Sequence, residues 1–474
     1  MCEAILKQIC LKSFWIEFCG KYPNPQTDGI MSSKRYRPII FVFLTLWSCS
    51  SEPEDLNLDP ETQTLVDILI DEMHLLSADP LNWEDQELRW LDPLGDKSVV
   101  GLGEATHGTA EFFQAKHRIF KYLAENHGYR IFAFEADFGE SLFIEEAVQE
   151  GNAEAIEDLM LSKMHFWTWK TEEVKALLEW MCTYNQGKAK EDKLHYMGVD
   201  CQFNTYHPIM VRQYLANSDA PFQTFADSIL MVAETESEQA FDSYNAASFN
   251  AYLIKLEALQ DSLMAHNDDL ETASSEKEFQ LHTRILELVR QVSVVRYKTG
   301  STQSFMDSRD LYMAQNTSWL LEYFELEKVV VWAHNYHVSN FESAALGSMG
   351  NYLSYQWGDQ YVPVGFLFSQ GTFTAAGMEG DSYTELGTQA LDSIPKTGSL
   401  NALMSHTGED AFSVEIAALA NYVAWYNAFE NFMEYFFIGS AYNNRPEDYY
   451  INFDPDYYQY MIYFDKSTAS VLLE

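Results

Sequence analysis

Four short apolar runs in the chain each end in residues able to move protons. Lys97–Leu102 (KSVVGL) leads into Gly103-Glu104-Ala105-Thr106-His107-Gly108-Thr109. Tyr129–Phe134 (YRIFAF) leads into Glu135-Ala136-Asp137, and Leu194–Val199 (LHYMGV) into Asp200-Cys201-Gln202. Lys328–Trp332 (KVVVW) leads into Ala333-His334-Asn335-Tyr336-His337. A neutral imidazole at His107 can deprotonate water. Glu104, three residues earlier, can orient it, and a carboxylate such as Glu135 beside an imidazole raises its basicity towards what a general base needs near neutral pH. Of His334 and His337, the first lies closer to the strand end and is the better candidate for the cleft, with the other bracing it. Lys116 falls on an apolar stripe between Phe112 or Phe113 and Ile119 or Phe120. A lysine buried there needs a carboxylate partner; a stem that only packs, with its head in water, is the competing expectation.

These residues meet only if the runs are neighbouring strands of one sheet, because ligands of open parallel α/β sheets sit beyond the carboxyl ends of the strands. The spacing supports that. Thr109–Asn126 carries Phe112, Phe113, Ile119, Phe120 and Leu123 on one helical face and stops at His127-Gly128. Strand, helix and strand over 97–134 predict a βαβ unit with the two strands as a parallel pair, which makes Glu135 the product of the adjacent strand end. Gly101, Gly103 and Gly108 predict sharp turns at the cleft floor. Tyr361–Phe368 (YVPVGFLF) predicts a further strand, placed by Pro363 at an edge or early in its run. Phe222–Glu234, Ala246–His266 and Ser275–Tyr297 read as helices inserted between two strands. Thr171–Asn185 and Asp307–Phe324 read as helices closer to the sheet. The expected fold is α/β: a mainly parallel central sheet flanked by helices, with a helical insertion at about 221–298 beside the cleft.

Composition narrows the function. The 474-residue chain has 30 Lys and Arg against 71 Asp and Glu, a formal charge of −41 that repels a phosphate backbone and argues against nucleic acid. Only Cys182 and Cys201 lie in the body; one disulfide between them is open, whereas a disulfide framework and a CxxC thiolate zinc site are not. At the other end, Met31–Arg37 is basic and Pro38–Trp47 is apolar, too short for the roughly 20 residues of a spanning helix. Leu46-Trp47-Ser48-Cys49 resembles a lipobox, and Ser50–Asp55 is an acidic tether. The expectation is an upstream extension and lipoprotein signal over 1–49, a tether over 50–60, and one catalytic domain over 61–474. Lipid on Cys49 would hold it in a bacterial cell envelope.

Val100-Gly-Leu-Gly-Glu-Ala-Thr-His-Gly-Thr109, Phe134-Glu-Ala-Asp137, Gly198-Val-Asp200, Arg309-Asp-Leu-Tyr-Met-Ala-Gln-Asn316 and Trp332-Ala-His-Asn-Tyr-His337, with Trp167-Thr-Trp169, resemble the ordered motifs of the erythromycin esterase family. The resemblance runs from about Thr64 to the C-terminus. It implies a deep cleft beneath a helical subdomain and a metal-independent, cofactor-free opening of macrolide lactones. It also implies that His107 activates water, that Glu104, Glu135 and His334 line the same site, and that Lys116 is a further basic cleft residue. Lys116 and His337 are thus expected on the substrate. Without a G-x-S-x-G elbow, a serine nucleophile is disfavoured. Two other readings stay open: a metallohydrolase using Glu104, His107, Glu135, His334 and His337, and a non-catalytic lipoprotein that captures an amphiphile or haem-like ligand.

Overall fold

A computed structural model describes residues 58–239, 241–297, 302–343, 346–380, 382–392 and 395–474. Cys49 and the tether lie outside the described residues. The sheet is built from β1 (Val99–Leu102), β2 (Ile131–Asp137), β3 (His195–Asp200), β4 (Val329–Trp332), β5 (Tyr361–Glu379), β6 (Ser382–Leu391), β7 (Ala411–Glu415) and β8 (Tyr460–Ser467). The spatial order is β7-β8-β5-β1-β4-β2-β3, with β6 pairing β5 and the two-residue strand His74–Leu75 beyond β7. From β8 to β3 every pairing is parallel; β7 and β6 join antiparallel. Every residue of β1, β2, β3 and β4 is buried. That is the signature of a sheet covered by helices on both faces.

Helix α1 (Ala110–His127) follows β1. It starts after the extended Thr109 and ends where Gly128 takes φ 75°, a left-handed cap that glycine adopts without strain. Helices α2 (Phe138–Glu150) and α3 (Glu172–Asn185) lie between β2 and β3, and α4 (Thr302–Phe324) precedes β4. Helices at 207–217, 223–239, 246–265, 267–273 and 276–297 fill the chain between β3 and α4. Cys182 and Cys201 are buried free thiols, so the possible disulfide is not formed. No described helix is long and apolar enough to cross a membrane.

One expectation needs correcting. The strands flanking α1 are parallel but not paired, because β4 lies between them: Val99 and Ile131 both register on Val329, and Leu102 and Phe134 both on Trp332. Val329-Val-Val-Trp332 has no polar position to offer solvent on either face, so it takes an interior slot, and the α1 crossover spans two strand spacings. Of the two places expected for Pro363, the structure takes the early strand position rather than the edge: it lies in β5, between β1 and β8. It is the third residue of that strand. Its carbonyl accepts from Gln459 just before β8 begins at Tyr460, so the missing N–H falls where the β8 ladder has not started.

Candidate active site

The turn after β1 is fixed from several sides. Glu104 carbonyl accepts from Asn335 N–H at 2.9 Å, and Gly108 carbonyl accepts from Thr374 N–H at 2.8 Å and Ser470 N–H at 2.9 Å. Its glycines serve close approach rather than left-handed backbone. A Cβ on Gly108 would stand 2.0 Å from Thr374 carbonyl oxygen, and one on Gly103 2.2 Å from Asn335 Oδ1. So anchored, the turn presents His107, only 8% exposed, at the carboxyl ends of β1 and β4.

His107 Nδ1 lies 2.7 Å from Glu104 Oε1. An ionised carboxylate only accepts, so Nδ1 carries the hydrogen and Nε2 keeps its lone pair as the proton acceptor. The other carboxylate oxygen, Oε2, accepts from Trp332 Nε1 at 2.6 Å and from Lys116 Nζ. Lys116 is fully buried, its ammonium 4.3 Å from the Trp332 ring centroid. Burial pulls its pKa down to about 8, against the opposing pull of the Glu104 charge. Lys116 therefore reaches the site through Glu104, and the packing-only expectation for it fails.

A second charge cluster lies on the β2 side. Arg309, from α4, donates through Nε to Asp200 Oδ1 at 2.9 Å and through Nη2 to Asp200 Oδ2 at 2.8 Å and Glu135 Oε1 at 2.6 Å. His337 sits between two carboxylates, with Nδ1 2.7 Å from Asp310 Oδ1 and Nε2 3.1 Å from Glu135 Oε1. Burial opposes charging of this imidazole, but Asp310 and Glu135 outweigh both burial and Arg309 and raise it to about 9. Burial would raise the Glu135 carboxyl; His337 and Arg309 instead hold it well below the usual carboxylate range. Glu135 is thus bound to Arg309, to His337 and, through Oε2, to the His334 N–H at 2.9 Å. The carboxylate against the His107 ring is Glu104.

His334 joins the two clusters. Its ring centroid is 5.1 Å from that of His107. Nε2 lies 3.1 Å from Ile438 carbonyl oxygen and must donate to it; Nδ1 then accepts from Tyr336 N–H at 3.2 Å. Both nitrogens are engaged, and burial, with the neighbouring His107, pushes this imidazole well below its ordinary range. His334 is a neutral hydrogen-bonded wall beside His107.

The structure therefore brings Glu104, His107, Lys116 and His334 into contact around one turn, with Glu135 and His337 in the adjoining cluster. Sequence reasoning placed Arg309 in a motif but not in the site. Its partner Asp200 lies 109 residues earlier, so no local spacing could reveal the pair. An arginine next to Asp310 on a helix flanked by apolar residues was the available signal. As for metals, the carboxylate oxygens of Glu104 and Glu135 already meet cations or N–H donors. Among the described residues no group of three or more His, Cys, Asp or Glu side chains is arranged to hold an ion.

Comparison with known proteins adds the following. The family model described as erythromycin esterase matches residues 124–467. That span includes Glu135, Arg309, His334 and His337; Glu104, His107 and Lys116 precede it. A putative hydrolase of Bacillus subtilis, YbfO, is 25% identical over 382 residues, covering 74% of this chain and 81% of that protein. Erythromycin esterase type II of Escherichia coli is 26% identical over 324 residues, covering 61% of this chain and 73% of that one. A crystal structure of a Bacillus cereus protein superposes with TM-score 0.76 at 20% identity, covering 87% of this chain and 99% of the other. A mutant of the erythromycin esterase EreC in its open conformation gives 0.64 at 15% identity, covering 84% and 97%. These structural likenesses establish a shared fold.

Proposed function

The chain belongs to the erythromycin esterase family and is a hydrolase, and we propose on that footing that it opens carboxylic esters or macrolactones with water activated by His107. The observation that carries this reading is the His107–Glu104 contact of 2.7 Å, with the far oxygen of Glu104 clamped by Trp332 and Lys116. His107 Nε2 takes a proton from water as its oxygen adds to the ester carbonyl. The imidazolium that forms is stabilised by Glu104. It then returns the proton to the leaving alkoxide as the acyl C–O bond breaks, so ester and water give acid and alcohol. Lys116 is a positioning residue that holds the Glu104 carboxylate in place. Glu135, Arg309 and His337 hold the backbone of His334 against the cleft wall.

Two further parts belong to this reading. The helices Gln223–Gln239, Ala246–Ala265 and Glu276–Tyr297 set the substrate range, because they carry none of the compact motifs and lie between the strands that build the site. Acylation of Cys49 tethers the enzyme to the envelope, a reading supported by the basic and apolar segments before it and the acidic residues after it. The test of activity is to incubate purified protein with a panel of macrolides and simple esters and to follow the gain of one water by mass spectrometry. The expected result is catalytic turnover of at least one ester. If no ester or lactone in the panel gains water, the proposed reaction is wrong. Chelator should leave turnover unchanged; loss restored by one divalent ion would move the assignment to a metallohydrolase.

A further inference from the structure

An open cavity of about 410 Å³ is lined by Met264, Phe279, Thr283, Arg284, Glu287 and Trp319 among others. Its walls come from the helices Ala246–Ala265 and Glu276–Tyr297 and from α4. On α4, Trp319 lies ten residues beyond Arg309, a rise of about 15 Å along the helix and away from the strand ends. None of the lining residues belongs to the charge clusters of the candidate active site, although Asn316, the partner of Arg284, donates to the Val199 carbonyl next to the Asp200 that Arg309 holds.

Arg284 sets this cavity apart. In a chain so rich in acids, Arg212, Arg290 and Arg309 each meet at least one carboxylate. Arg284 meets none at ion-pair distance among the described residues. Its recorded hydrogen bond is to the neutral Asn316 Oδ1, and its guanidinium carbon stands 5.5 Å over the Trp319 ring. The nearby Glu287 is taken by Arg290, whose Nε donates to it at 2.8 Å, and Glu322 faces solvent. Arg284 Nε and the Thr283 hydroxyl are buried without a hydrogen-bond partner. Burial pulls the Arg284 pKa down to about 10, and the charge of Glu287, shared with Arg290, offsets only part of that. Buried donors normally find acceptors, so unpaired ones beside a cavity mark a place where an acceptor enters.

We propose that this cavity is an accessory binding site for a small carboxylate with an apolar or aromatic body, its carboxylate on Arg284 and its body against Trp319, Phe279 and Met264. A carboxylate provides the negative charge and the acceptor oxygens that the guanidinium lacks. The apolar walls remove the rest of the ligand from water.

Phenylacetate is a suitable probe, with phenylacetamide as its neutral counterpart of the same shape. Calorimetric titration of the folded chain should show saturable binding of phenylacetate and at least tenfold weaker binding of phenylacetamide. Arg284→Gln should weaken phenylacetate at least tenfold. Met264 is 52% exposed, so Met264→Glu tests the same point without touching the core: its carboxylate should occupy the guanidinium and lower affinity similarly, even if Arg284→Gln fails to fold. Binding should persist in His107→Ala, which separates this cavity from the catalytic cleft. Absence of saturable binding in the parent would mean that water alone satisfies these donors and would overturn the proposal. So would binding unchanged in Met264→Glu or lost in His107→Ala.

Discussion

Buried charges are tolerated when opposite charges meet them, and the site applies that rule to two carboxylates with different results. Glu104 divides its oxygens between a histidine and a lysine, and so holds the imidazole in one tautomer. Glu135 is saturated by Arg309, His337 and a backbone N–H, and so fixes the position of His334. The His337 pairing has a consequence for stability. Its folded-state pKa, about 9, lies above the unfolded value of 6.5, so folding takes up a proton between those values. The stabilisation is complete below pH 6.5 and is lost as pH rises through 9. Lys116 acts in the opposite sense above its folded value of about 8, and the histidines that burial holds low, among them His117, His207 and His334, act in that sense as their unfolded forms titrate near 6.5. The His337 contribution is therefore read as a difference: between pH 6.5 and 8, unfolding free energy from urea titration should fall by about 2 kcal/mol more in the parent than in His337→Gln. Parallel profiles in the two would mean a neutral His337 accepting a hydrogen bond from Arg309 Nη1, which lies 2.9 Å from its Nε2.

At the scale of elements, the decisive piece is the turn from Gly103 to Thr109, wedged between β4, β5 and the C-terminal segment. Gly108→Ala would drive a Cβ into Thr374 carbonyl oxygen, 2.0 Å away and part of the backbone. Since neither backbone can yield cheaply, the substitution should cost roughly 1–3 kcal/mol of stability and displace His107. Thermal unfolding and turnover should therefore fall together; a parent-like melting temperature would show that β5 gives way. The strands and helices themselves were legible in the sequence, because all-apolar runs ending in glycine or acid, and the stripe of α1, are local patterns. The strand order was not. Nothing near residues 97–134 announces that Val329–Trp332 will separate the two strands, since that pairing is decided by burial among segments some 200 residues apart. The same holds within the site. Glu104 and His107 are three residues apart and could be paired by inspection, whereas Arg309, Asp200 and Glu135 converge only in the folded sheet.

For the whole molecule, the proposed acylation of Cys49 would hold the body of the chain at a membrane. Deleting residues 1–30 should leave export intact, because the basic segment begins at Met31. Cys49→Ala should move the protein from membrane fractions to the soluble fraction, measured by fractionation and immunoblot. A Cys49→Ala protein that stays fully membrane-bound would contradict the anchor. The described helices offer no membrane-spanning segment to take its place.

The central claim is that His107 is the base. It is tested most directly by steady-state kinetics of His107→Ala on an ester that the parent hydrolyses, with circular dichroism confirming the fold. The His107 ring is buried but adds no apolar core volume, so the fold should survive. With His107 as the base, kcat should fall by at least the ~10² that a positioned general base contributes, with KM little changed. Near-normal kcat in His107→Ala would contradict it and leave His107 as a structural residue of the turn.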